Sequence, residues 1–150
     1  MKSDNTFNLV AKLSGEMDGL IMAALKEKGV PGLVSSHGSI VAALFGGRRC
    51  TMNALAEEIG KTPQTVTMLV KKLVQYGYLQ CEKSTQDRRT TIVSLTPAGE
   101  ALKPIFEDIS ERLYHTQYVG FSPEEIASFR SLLKKMKANF DAEAEARGNH

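Results

Sequence analysis

The feature that most constrains this chain is a pair of short amphipathic helix patterns only three residues apart. Leu55, Ala56 and Ile59 recur at helical spacing and stop at Gly60. Val66, Leu69, Val70, Leu73 and Val74 form a second stripe, which stops at Gly77. Between them lies Gly60-Lys61-Thr62. Glycine suits the left-handed backbone that ends a helix. Thr51 can cap the first helix and Thr62 the second. Pro63 then takes the first helical position, where its missing N–H costs nothing. Two helices joined by so short a turn read as a helix-turn-helix.

After Gly77 the period changes from helical to alternating. Tyr78–Lys83 and Thr91–Leu95 read as strands, the second rich in β-branched residues. The polar run Ser84–Arg89 between them reads as the tip of a β-hairpin. A hairpin directly after a helix-turn-helix makes a winged helix. The expected fold class is therefore mainly α with a small β-hairpin wing (α+β).

Helices flank this lobe. Phe7, Val10, Leu13, Met17, Leu20, Ile21, Ala24 and Leu25 mark one helix over residues 4–28, ended by Gly29 and the Pro31-Gly32 break. Ile40, Val41, Leu44 and Phe45 mark a second over 34–45. Thr96-Pro97 begins a long helix carrying Leu102, Ile105, Phe106, Ile109 and Leu113. Ser122 and Glu125 form a capping box for the last helix, whose stripe runs from Phe129 through Leu132, Leu133 and Met136 to Phe140. Beyond Phe140 the stripe is lost, and fraying is expected over 141–150. The expected organisation is an N-terminal dimerisation helix (1–33), a winged helix-turn-helix lobe (34–96) and C-terminal dimerisation helices (97–150), as one intertwined unit. The flanking apolar stripes exceed what the lobe can cover, and soluble monomers rarely expose large apolar patches. A homodimer follows as an expectation.

Charge concentrates where the helix-turn-helix lies. The net charge is only +2, but residues 48–90 carry eight basic against four acidic side chains. Residues 1–47 balance at four of each, and residues 91–150 carry seven basic against nine acidic. A basic middle suits a polyanion. No apolar run approaches the ~20 residues that cross a bilayer. Met1–Asn5 leads into no apolar signal region, so a cytoplasmic protein without a membrane role is expected. Two cysteines are too few for a disulfide framework and fit a reducing compartment.

A helix-turn-helix places the start of its second helix against base edges in the major groove. Here that start offers Thr62, Gln64, Thr65, Thr67 and Met68. Gln can pair with adenine, and Thr can offer a hydroxyl or a methyl group. Lys71 and Lys72 suit phosphates, which set register and affinity. At the hairpin tip, Asp87 has the spacing to hold the guanidinium of Arg89 through charge-assisted hydrogen bonds. An Arg so held can enter the minor groove. Arg88 and Lys83 can neutralise neighbouring phosphates.

The stretches Leu55–Gly60, Thr65–Leu73 and above all Asp87-Arg88-Arg89 running into Leu95-Thr96-Pro97-Ala98-Gly99 resemble the MarR family of bacterial transcriptional regulators. The resemblance extends over about residues 5–140. It implies a homodimer held by the terminal helices, two winged lobes on a palindromic double-stranded operator, and repression relieved by a small molecule, often phenolic, or by an oxidant. Under it Asp87 orients the wing and Arg89 is the minor-groove arginine.

Other candidates are weaker. Met17, His37, Ile40 and Tyr114 are the residues expected around an effector pocket. Cys50 follows Arg48-Arg49 and precedes a helix start, both of which can lower a thiol pKa, so a thiol-based redox sensor is an alternative. Cys81, on an inferred strand, reads as core. A winged module binding protein or RNA is a further alternative. His37, His115 and His150 lack metal-ligand spacing, and no cofactor is expected. Ser131-Leu132-Leu133-Lys134 matches Ser-x-x-Lys without its partner motifs, and no enzyme is expected.

Overall fold

The computed structural model describes residues 4–30 and 32–148. Pro31 of the expected break and His150 lie outside the described residues. The chain divides into two compact units, Met1–Leu113 and Tyr114–His150.

The first unit opens with α1 (Thr6–Glu27) and α2 (Ser35–Leu44). Only Ala24 and Leu25 of α1 are buried. They join Ile40, Val41 and Leu44 of α2 in one core. A two-residue strand, β1 (Cys50–Thr51), leads into α3 (Met52–Ile59). The Thr51 hydroxyl accepts from the Ala54 N–H at 3.1 Å, as its capping position demands. Gly60 ends α3 at φ +69°. Next comes α4 (Pro63–Gln75), capped by Thr62. Leu55 and Ala56 of α3 and Val66, Val70 and Leu73 of α4 complete the core of the helix-turn-helix.

The wing follows as β2 (Leu79–Lys83) and β3 (Thr91–Leu95), antiparallel with Leu79 opposite Leu95 and Lys83 opposite Thr91. The sheet has a third strand that periodicity does not reveal. β1 pairs with the other edge of β3, giving the order β1-β3-β2. Two residues cannot show an alternation. They are a strand only because β3 lies beside them.

Thr96 latches the end of the wing. Its hydroxyl accepts from the Gly99 N–H at 3.2 Å and donates to the Gly77 carbonyl. Gly99 itself is buried, and a Cβ there would overlap the Tyr78 carbonyl oxygen. The long helix expected from Thr96-Pro97 is broken in two, α5 (Pro97–Glu100) and α6 (Lys103–Gln117). Pro104 explains the break. It offers no N–H to the Glu100 carbonyl one turn earlier. The Glu100 carboxylate accepts from the backbone N–H groups of Gly46 and Gly47, at 3.4 and 3.0 Å. That contact ties α5 to the turn before β1.

The second unit contains α7 (Pro123–Gly148). Its expected capping box is present: Ser122 N–H donates to Glu125 Oε1 at 2.9 Å, and Glu125 N–H to Ser122 Oγ at 3.1 Å. The expected fraying after residue 140 does not occur among the described residues. The helix runs on to Gly148, with Lys137–Asp141 and Glu143–Arg147 pairs at i, i+4. Tyr114, Tyr118, Phe121 and Phe129 meet edge to face at the entrance to α7. No described residue of α7 is buried.

Candidate nucleic-acid interface

The buried stripe of α4 dictates what its opposite side presents. With Val66, Val70 and Leu73 turned inward, Gln64, Met68 and Lys71 stand on the outer face at i, i+4 and i+7. All three are exposed, and Met68 keeps 74% of its surface open. The threonines are engaged by the helix itself. Thr62 caps it by accepting from the Thr65 N–H at 3.3 Å, and the two hydroxyls share a hydrogen bond of 2.8 Å. Thr67 donates its hydroxyl proton to the Pro63 carbonyl at 2.8 Å. Lys72 lies to one side, its ammonium 5.9 Å from the centre of the Tyr76 ring.

At the wing tip, Asp87 Oδ1 accepts from the Arg89 backbone N–H at 3.0 Å and from Arg89 Nε at 3.2 Å. These two hydrogen bonds hold the Asp87 carboxyl below its usual pKa, the backbone N–H contributing most. The Arg89 side chain is 92% exposed. An exposed pair of this kind adds little to folding. Its effect is to fix the direction of a guanidinium that otherwise faces solvent. Arg88 is exposed at the same tip, and Lys83 donates to the Thr91 hydroxyl at 3.2 Å in the last strand pair before the tip.

Arg48 and Arg49 are occupied instead. Arg48 grips Glu58 through two N–H···O bonds of 3.0 and 3.2 Å, and Arg49 pairs with Glu82. The basic charge of residues 48–90 is therefore free mainly on α4 and the wing tip. Cys50, half-buried beside these paired arginines, packs against the core from β1. Cys81 is exposed on β2, contrary to the expectation of a core position, because the outer strand leaves it uncovered.

The expected effector residues of the first unit occupy different surroundings. Met17 lines a crevice of about 600 Å³ within the first unit. His37 and Ile40 are core residues of α2. His37 is held there by its Nδ1, which accepts the Val34 N–H at 3.0 Å at the start of the helix. Burial, and secondarily the charge of Lys72, lower its pKa. Tyr114 belongs to the second unit. The crevice has an apolar floor that includes Ile21, Phe106 and Ile109, with Lys61 and Asp18 at its polar rim. Asp18 accepts from the Ser35 hydroxyl at 2.8 Å. Lys61 was not among the expected effector residues, because the crevice that it lines forms only in the fold.

The helix-turn-helix, the outward face of α4 and the wing define the class: a winged helix-turn-helix DNA-binding protein. Matching over residues 39–114 to the model for the winged helix DNA-binding domain, the chain belongs to that family. Solved MarR-family regulators share its fold. The structure of a Staphylococcus aureus MepR–DNA complex superposes with a TM-score of 0.82 at 22% identity, over 91% of this chain and 99% of that one. BpsR of Bordetella bronchiseptica, whose DNA binding is described as regulated by 6-hydroxynicotinic acid, superposes with a TM-score of 0.79 at 20% identity, over 91% and 96%. By sequence, the HTH-type transcriptional regulator YwhA of Bacillus subtilis is 23% identical over 75% of this chain and 81% of its own length. No helix among the described residues is long and apolar enough to cross a membrane.

Proposed function

We propose that this protein is a homodimeric transcriptional regulator that binds a palindromic operator and is released by a small aromatic effector. The observation that carries the reading is Arg89, exposed at the wing tip and aimed by Asp87. Gln64 and Met68 face the major groove, with Thr62, Thr65 and Thr67 shaping the start of that helix. Lys71, Lys72, Arg88 and Lys83 meet phosphates beside these contacts.

Two uncovered faces support a dimer. Phe7, Val10 and Leu13 of α1 are exposed, and so are Leu132, Leu133, Met136 and Phe140 of α7. A second copy covers both and sets two recognition helices about one DNA turn apart, roughly 34–36 Å. The crevice beside Met17 and Lys61 receives the effector. Lys61 immediately precedes Thr62, the cap of α4, so a ligand drawn to its ammonium acts on the end of the recognition helix. The protein works in the cytoplasm as a regulator, not as an enzyme.

The experiment is selection of bound sequences from random duplex DNA, with and without a panel of small phenolic acids. Enrichment of a palindrome, lost when one acid is present, is the expected result. Enrichment of no sequence overturns operator binding. A palindrome indifferent to every acid overturns the effector.

A further inference from the structure

Met68 stands out on the DNA-facing side of α4. It is a large apolar side chain on the face opposite the buried stripe, between Gln64 and Lys71. Its exposure of 74% means that folding gains almost nothing from it. Its polar neighbours have less to offer bases than their residue types suggest. The Thr67 hydroxyl donates to the Pro63 carbonyl, and those of Thr62 and Thr65 are bonded to each other. On the outward face near the start of the helix, Gln64 and Met68 are left to meet base edges. Gln64 supplies a hydrogen-bonding amide. Met68 supplies a flexible, polarisable thioether with no donor. The one apolar group that the major groove displays is the C5-methyl of thymine.

Resting on the operator-binding reading, we infer that Met68 is a specificity residue that reads a thymine methyl group in each half-site. The contact is dispersive and hydrophobic, so it favours T over C at one base pair without a hydrogen bond. The thioether has the reach and rotamer freedom to settle on the methyl once Gln64 and the phosphates have fixed the register.

The test uses the duplex obtained by selection. Thymidine is replaced by 2′-deoxyuridine at one position at a time, and binding is measured by fluorescence anisotropy for the full chain, Met68→Ala and Met68→Leu. At one position per half-site the wild type loses about fourfold in affinity, the worth of one buried methyl. Met68→Ala binds the thymine duplex more weakly and does not respond to the replacement, whereas Met68→Leu still responds. Because Met68 is exposed, both variants fold, and circular dichroism verifies this.

Indifference of the wild type at every position overturns the inference, as does an undiminished response in Met68→Ala. 5-Methylcytosine carries the same methyl group, so a second arm places C·G there with and without 5-methylation. Partial recovery on methylation supports thymine as the natural partner, and binding tighter than to the thymine duplex overturns that choice. A selection that enriches no sequence removes the operator reading as well. A selected site without methyl sensitivity removes only the role of Met68.

Discussion

Asp87 holds Arg89 twice through one carboxylate oxygen, at the backbone N–H and at Nε, while the rest of the guanidinium stays in solvent. The pair is an aiming device, and its two members have separable effects. Arg89→Ala is expected to weaken operator binding by about 1–3 kcal/mol. The unfolding midpoint stays unchanged, since the pair is exposed. Asp87→Asn weakens binding less, and has no further effect in the Arg89→Ala background. A double-mutant cycle read by anisotropy checks this. Full additivity would mean that Asp87 acts on DNA independently of Arg89.

Lys71 is expected to act through charge alone. Affinity of the wild type falls steeply with salt as counterions are released, about 10³–10⁵-fold between 50 and 200 mM for six to ten phosphate contacts. Lys71→Ala weakens binding to all sequences alike and lowers the slope of log K against log salt by about one. A titration series at four salt concentrations measures both. An unchanged slope would remove Lys71 from the phosphate contacts.

His37 makes stability depend on pH in one direction. Its folded-state pKa lies below the ordinary value of 6.5, so the unfolded chain takes up the proton first as pH falls. Its contribution is complete above pH 6.5 and is lost as pH falls through the lower folded value. Urea midpoints measured from pH 7.5 to 5 should therefore decline more in the wild type than in His37→Ala. At pH 7.5 that variant is less stable by about 0.5–2 kcal/mol, the usual worth of a bond at a helix start. Equal declines in both proteins would assign the pH effect elsewhere.

Cys50 and Cys81 both lie directly opposite Val93, one on each side of β3. Strands two apart are separated by about 9–10 Å, beyond the Cα distance a disulfide can span. Treatment with diamide is expected to leave no internal disulfide, as non-reducing mass analysis of thiol-alkylated protein will show. An internal bond would require the sheet to open and would revive the redox alternative.

The lobe was legible in the sequence because its signals are local. Gly60, Thr62 and Pro63 punctuate the helix-turn-helix within four residues, and the period changes at Gly77. β1 was not legible because it exists only by pairing with β3, some 40 residues later. Pro104 was visible, but the apolar spacing from Leu102 to Leu113 overrode its meaning as a break. The candidate site was half legible. Residue types pointed to the outward face of α4 and to the wing tip. They could not tell which threonine hydroxyls the helix itself engages, and they gave His37 the features of a ligand contact although it is a buried acceptor.

The latch from Thr96 to Gly77, with Gly99 pressed against Tyr78, divides the wing motif into halves of different meaning. Leu95-Thr96-Pro97-Ala98-Gly99 is a folding instruction, written in a hydroxyl and a missing side chain. Asp87-Arg88-Arg89 is exposed and could be rewritten without disturbing that instruction. A descendant of this chain could keep the latch, lose Arg89 and present the same architecture without the proposed minor-groove contact. A search for the latch alone would count it as kin, and only the tip of its hairpin would record the difference.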